Sequence, residues 1–231
     1  IMIFNSLSFF VFLAIVLVLY VVLPHRAQNR MLLIASYFFY GCWDYRFLSL
    51  IALTTTIDYL VSHGIAATPD PRRRKHLLLI SLVANLSILG FFKYFNFFAD
   101  SAQALLAALG FHVQPWQLRI VLPVGISFYT FQSLSYTVDV YRGDLKPARS
   151  LFDFALYISF FPQLVAGPIE RATNLLPQVE QPRVMTHERT REASWLILWG
   201  LFKKVVIADN LAPITDAVFT GQTPLTAPYV L

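Results

Sequence analysis

The sequence has 231 residues, 57% of them hydrophobic and only 13% charged, against about 25% charged in a soluble domain. With 16% aromatics and a mean hydropathy of +0.58, it carries more apolar side chains than one globule can hide, and the same balance excludes disorder. The net charge is +5, but the basic residues form short clusters between apolar runs rather than a stripe beside stacking aromatics, which argues against a nucleic-acid partner.

The single cysteine, Cys42, excludes a disulfide framework and any cysteine-based zinc site. What remains is an all-α, polytopic membrane protein whose partner is the lipid bilayer. Leu7–Leu23 is its first apolar run near the roughly 20 residues that a span needs, and Pro24 stops it. No cationic region precedes this run and no small-residue cleavage site follows it, so it reads as a retained anchor. Met31–Tyr40 is apolar but short, and Gly41–Asp44 reads as a turn at the interface. Phe47–Val61 is the third stretch, with Asp58 at its end, and Thr68–Pro71 is a breaker. Leu77–Phe98 is the fourth. Ser101–Leu109, stopped by Gly110, predicts a separate short helix lying on the surface. Ile120–Val140 is the fifth, with Pro123 and Gly125 kinking or unwinding its start. Phe152–Val165 contains Pro162 and runs into Ala166-Gly167-Pro168. Trp195–Ala208 carries Lys203 and Lys204, and Thr226–Leu231 begins another apolar segment. We find no internal repeat, and residues 1–231 read as a single membrane-embedded region.

The cations set an orientation. Arg26 and Arg30 follow the first run, Arg72–Lys75 the third, and Arg142, Lys146 and Arg149 the fifth. Loops after odd-numbered spans share one side, and an excess of Lys and Arg marks it as cytoplasmic. The N-terminus is therefore expected outside. Arg171, Arg183, Arg189 and Arg191 join that side only if the Pro-broken segment enters and leaves by the same face. It is thus predicted to be re-entrant, over about residues 152–169. Irregular backbone at that depth must be buried in protein or line a wet cavity.

Familiar catalytic signatures are missing. Gly125-Ile126-Ser127-Phe128-Tyr129 lacks the second glycine of a nucleophile elbow. There is no phosphate-binding loop and no dinucleotide fingerprint. His25, His63, His76, His112 and His187 all fall at segment ends or in loops and read as interfacial or solvated. Polar residues inside apolar runs are the better lead, because each is costly there. Lys93 reads first as a snorkelling side chain. Lys203 and Lys204 divide evenly between a surface helix and a cavity-facing pair. Ser127, Tyr129, Gln132, Tyr136 and Asp139 recur at near-helical spacing, a stripe down one helix face. The stripe serves either as helix–helix glue or as the wall of a substrate path.

Two stretches carry a family resemblance. Leu122–Arg142 (LPVGISFYTFQSLSYTVDVYR) and Phe160–Arg171 (FFPQLVAGPIER) together resemble the membrane-bound O-acyltransferases, nearest to the branch of the alginate O-acetyltransferase membrane subunit. Ile3–Ser6, Gly90–Tyr94 and Trp199–Asp209 fit the same branch. The resemblance implies helices around a funnel and a bacterial inner-membrane location. It also implies transfer of an acyl group, acetyl in this branch, from a cytoplasmic thioester such as acetyl-CoA to an extracytoplasmic polysaccharide hydroxyl, completed by outer partner proteins. Candidate path residues are Ser127, Tyr129, Gln132, Tyr136, Asp139, Arg142, Gln163, Gly167 and Pro168. Gly167 and Pro168 are expected to shape the loop, and Arg142 to mark the cytoplasmic mouth. No metal is expected. The family's catalytic histidine motifs match nothing here, so no catalytic residue is assigned. The chain is expected to be the N-terminal part of a longer protein and inactive by itself. The alternatives are a transporter or channel using the polar stripe, and a non-catalytic scaffold in a polysaccharide-modifying complex.

Overall fold

A computed structural model describes residues 2–110, 120–164 and 167–219. His112, Val165, Ala166 and Thr226–Leu231, all singled out above, lie outside the described residues. Those described are helical, with no strand among them. They fall into two compact units, residues 1–182 and 183–231.

The first unit holds α1 (Leu7–Val22), α2 (His25–Asp44), α3 (Leu48–Ala67), α4 (Pro71–Ala108), α5 (Ile126–Arg142), α6 (Leu151–Ser159), α7 (Phe161–Leu164) and α8 (Ala172–Glu180). Side chains that satisfy free backbone donors set the starts. The Ser6 hydroxyl accepts from Phe9 N, Asp70 from Arg72 N and Ser150 from Phe152 N. Gly143, at φ +85°, ends α5, where an L side chain would be strained.

Several boundaries differ from expectation. Gly41–Asp44 stays helical, and the chain turns only at Tyr45–Phe47, where the Asp44 carboxylate accepts from Arg46 N. α3 runs six residues past Val61 because Ser62 and His63 return their polar atoms to the Tyr59 carbonyl. Asp58 therefore sits mid-helix, not at a helix end. Ser101–Leu109 is no separate helix: α4 continues unbroken to Ala108, since nothing between Phe98 and Ser101 removes a backbone donor. As expected, Gly125 takes a left-handed conformation at φ +73° and delays α5 to Ile126.

His25–Ala67, taken through its turn, and Pro71–Ala108 are long and apolar enough to cross a membrane. The 38 residues of α4 extend about 57 Å at 1.5 Å per residue, well beyond a hydrocarbon layer of about 30 Å. Large apolar side chains stay exposed along its length, among them Ile80, Val83, Phe91 and Phe97. This is an all-α membrane protein.

Buried side chains form two clusters. One gathers Ile51, Ile65, Tyr129, Tyr136, Phe154 and Tyr157 between α3, α5 and α6. The other gathers Phe9, Phe39, Leu156 and Phe161, with the Phe12 and Phe161 rings edge-on at 5.2 Å. The short α6 feeds both clusters, and Phe154–Ser159 are all buried. A helix apolar all round is one enclosed by protein.

The second unit contains α9 (His187–Phe202), a π turn at Lys203–Ala208, and α10 (Asp209–Phe219). Thr186 caps α9, so this helix begins eight residues before the apolar run at Trp195. The Lys203 ammonium lies 5.2 Å from the Trp199 ring centroid, and Lys204 pairs with Asp209 across the π turn.

Candidate functional site

The Pro-broken segment builds the most unusual geometry in the first unit. Pro162 has no N–H to give the Ile158 carbonyl, and its ring crowds that carbonyl, so α6 stops at Ser159. The next donor is also diverted, because Phe161 N donates to Ser36 Oγ on α2 at 3.1 Å. That leaves the Tyr157 carbonyl without its helical partner. Gln132 Nε2 from α5 and Gln163 Nε2 from α7 both donate to it, each at 2.9 Å. Two glutamines proposed from sequence thus meet on one backbone oxygen.

Gly125 lets the tip of the segment close on α5. A Cβ there would lie 2.6 Å from the Leu164 carbonyl oxygen. Gly167 plays the same part inside the segment, where a Cβ would lie 2.7 Å from Gln163 Cα. Gly167 N donates to Gln163 O at 3.1 Å. The returning chain is fastened where Tyr157 Oη donates to the Glu170 carbonyl at 3.1 Å.

The two ends of the segment meet. Asn29 Nδ2 on α2 donates both to Asp153 Oδ1 in the first turn of α6 and to Val179 O near the end of α8, at 2.8 and 2.9 Å. Arg149 N donates to Glu180 Oε1 at 2.9 Å, and His25 Nε2 lies 3.3 Å from Glu180 O. The chain therefore leaves and returns at the N-terminal end of α2. At that end the start of α4 also meets the end of α5, for Arg74 Nη2 donates to Tyr141 O at 2.6 Å. In its described residues, the segment from 150 to 180 is a hairpin with both feet at the basic end of the bundle.

The stripe on α5 divides between two neighbours. Tyr129, Gln132 and Tyr136 are fully buried. Tyr136 faces α3 and α6: its hydroxyl lies 2.9 Å from Ser62 Oγ and accepts from Ala148 N at 3.1 Å, and its ring sits 4.3 Å from Phe154. Tyr129 Oη and Gln132 Oε1 have no hydrogen-bond partner among the described residues. Ser127 is half-buried, 3.5 Å from Lys93 Nζ. The Asp139 carbonyl accepts from Asp144 N and Leu145 N to close the turn after α5. Arg142 and Pro168 are exposed. The structure brings Gln132 and Gln163 together, while Asp139 and Arg142 lie at the basic end.

Sequence reasoning did not single out Ser36, Tyr157, Ser81 or Asn85, and it did not join Ser133 of the polar α5 set to Asp58. Asp58 is fully buried. Its carboxylate accepts from Ser81 Oγ, from Asn85 Nδ2 on both oxygens, and from Ser133 Oγ. The available signal was the four-residue spacing of Ser81 and Asn85 within an apolar run. Among the described residues no group of His, Cys, Asp and Glu side chains is placed to hold a metal ion. None of the described imidazoles hydrogen-bonds to the hairpin tip; His63 is turned back to the Tyr59 carbonyl at 2.8 Å.

Over 97% of its length the chain is 42% identical to the probable alginate O-acetylase AlgI of Azotobacter vinelandii, covering 45% of that protein. Identity to the protein of the same description from Pseudomonas aeruginosa is also 42%, covering 43% of it. A peptidoglycan O-acetyltransferase of Helicobacter pylori is 32% identical, with 48% of it covered. The chain thus spans just under half the length of these curated relatives. No family model and no solved structure matches it. By sequence, the chain is similar over nearly all of its length to proteins described as alginate O-acetylases, in keeping with the resemblance that its two long motifs carry.

Proposed function

We propose that this chain forms part of the wall of a membrane O-acyltransferase. The enzyme takes an acetyl group from a cytoplasmic thioester, acetyl-CoA or a relative of it. It passes the group to a hydroxyl of an extracytoplasmic polysaccharide, with an alginate-like polymer as the first acceptor to test. The observation that carries this reading is the hairpin at residues 150–180, with both feet at the basic end and its tip held by Gln132 and Gln163. The 42% identity to alginate O-acetylases supports the chemistry. In this reading the hairpin is re-entrant from the cytoplasmic side of the bacterial inner membrane. The protein is multi-pass, its N-terminus is extracytoplasmic, and outer polysaccharide-modifying proteins are its partners.

The chemistry is attack of a hydroxyl on an activated acyl carbonyl, in which a general base takes the proton. That base is not assigned to any histidine of this chain. Donors aimed at the developing oxyanion act strongly where water is excluded. Tyr129 Oη is a buried donor on the α5 stripe with no partner among the described residues, and it can serve that role. Gln132, Gln163, Tyr136, Gly167 and Pro168 hold the hairpin and shape the wall. Ser127 with Lys93 lies at the other end of α5. Asp139 and Arg142 flank the basic mouth, where Arg142 meets an anionic donor.

The test is acetyl-ester content of the polymer in cells carrying the full-length protein with Gln163→Ala. Acetylation is expected to fall sharply at unchanged expression. Full acetylation by that variant would remove the hairpin from the transfer path.

A further inference from the structure

Asp58 raises a problem of charge. It lies at the middle of α3, fully buried, between α4 and α5. A carboxylate has about four lone-pair sites, and four hydrogen bonds from neutral donors fill them: Ser81 and Asn85 on one oxygen, Asn85 and Ser133 on the other. These neighbours all favour its ionised form, which burial away from water opposes unless a counter-charge is present. Yet it has no ion-pair partner among the described residues. The cations on the packed helices are engaged elsewhere. Lys93 Nζ lies at Ser127 and over the Tyr94 ring, Arg74 donates to Tyr141 O, His63 is bonded to Tyr59 O, and Arg142 and His76 are exposed. Asp153, on the adjoining α6, is held by Asn29. A buried charge with no counter-charge costs several kcal/mol.

On the same three helices, three buried oxygens have no hydrogen-bond partner among the described residues: Thr55 Oγ1, Asn85 Oδ1 and Thr130 Oγ1. Their residues are at most 2% exposed. The helix register brings them to one level. Ser133 pairs with Asp58, and Tyr136 with Ser62, so α3 and α5 run parallel here and Thr55 comes opposite Thr130, one turn from Asp58 on each helix. α4 runs the other way, and Asn85 is one turn beyond Ser81 in the same direction. Asn85 gives its amino group to Asp58 and keeps its carbonyl for this level. Both threonines forgo the bond to the preceding turn that Thr54 makes with the Leu50 carbonyl.

We propose that the seam between α3, α4 and α5 binds one desolvated monovalent cation of the sodium class, held by Asn85 Oδ1, Thr55 Oγ1 and Thr130 Oγ1 with Asp58 as its counter-charge. The donor set is all oxygen, as hard cations require. One carboxylate balances a single positive charge, whereas a divalent ion would leave an excess in a low-dielectric seam. An ordered water would satisfy the same three oxygens but would leave the charge of Asp58 unbalanced, which is why the cation is preferred. The site is separate from the hairpin and does not depend on the acyltransferase reading.

The experiment measures binding of radiolabelled sodium and thermal melting of the purified full-length protein in detergent, in sodium chloride against choline chloride at equal ionic strength. Saturable uptake of one sodium per chain, with a higher melting temperature in sodium, is expected. Thr55→Val and Thr130→Val each remove one oxygen while keeping shape and leaving Asp58 in place. Each should weaken sodium binding roughly tenfold, the factor worth about 1.4 kcal/mol, and hold its melting temperature in choline. Asp58→Asn should abolish the difference between the two salts. Equal melting in both salts without saturable uptake overturns the proposal and leaves water as the partner of the three oxygens. Parental sodium affinity in Thr130→Val overturns it as well.

Discussion

Replacing Gln132 and Gln163 by leucine, singly and together, probes the grip on the Tyr157 carbonyl. Both amides donate to that one oxygen at 2.9 Å. Either single change leaves it one donor, so each costs about 0.5–1 kcal/mol, the ordinary net worth of a hydrogen bond. Gln132→Leu lies at the low end, because it also removes the partnerless Oε1. The double variant strips the carbonyl bare. Phe161 N is committed to Ser36 Oγ, and Pro162 offers no N–H. A buried acceptor with no donor adds about 1–3 kcal/mol. The double variant should therefore exceed the sum of the singles by about 1–2 kcal/mol. Chemical unfolding of the four proteins in detergent, followed by circular dichroism, gives the cycle. Effects that add to within about 0.5 kcal/mol would refute the shared-carbonyl account and place another donor on Tyr157.

Two glycines should separate by their surroundings. Gly143→Ala meets open space at φ +85° and should cost only about 1 kcal/mol, read as a small loss of melting temperature. Gly125→Ala combines φ +73° with a 2.6 Å approach to the Leu164 carbonyl and should cost several times more, with lower expression. Asn29→Ala cuts both feet of the hairpin at once and should loosen residues 150–180 to proteolysis or hydrogen exchange while α3–α5 stay protected. In a Cys42→Ser background, cysteines at Arg72, Lys146 and Gln181, all exposed, should react with an impermeant thiol reagent from the same side of sealed vesicles. Labelling of Gln181→Cys from the opposite side would mean that the hairpin crosses.

Apolar runs and cation clusters were enough to order the helices and to anticipate a segment that turns back at Pro162. Those signals depend on composition along the chain, which the bilayer and the proline ring act on directly. Boundaries were harder. Ser62 and His63 looked like a helix end, because side chains that bond back to Tyr59 hide their polarity only once the helix exists. The polar residues of α5 were visible as a set, but not their division between neighbours. Tyr136 turns to Ser62, Gln132 to Tyr157 and Ser133 to Asp58, and those partners lie 25 to 75 residues away. Ser36 carried no signal, since one serine in an apolar helix commonly bonds only its own preceding turn, and this one does that as well.

Near the far end of α4, Asn96 behaves like one rung of a ladder. Its Nδ2 donates to Ile120 O at 2.7 Å, and Ile120 N donates to its Oδ1 at 3.0 Å. The reciprocal pair clasps the chain where it departs and where it comes back. Asn96→Ala removes both bonds at once, so the entry to α5 should loosen at Ile120 while the seam and hairpin stay undisturbed.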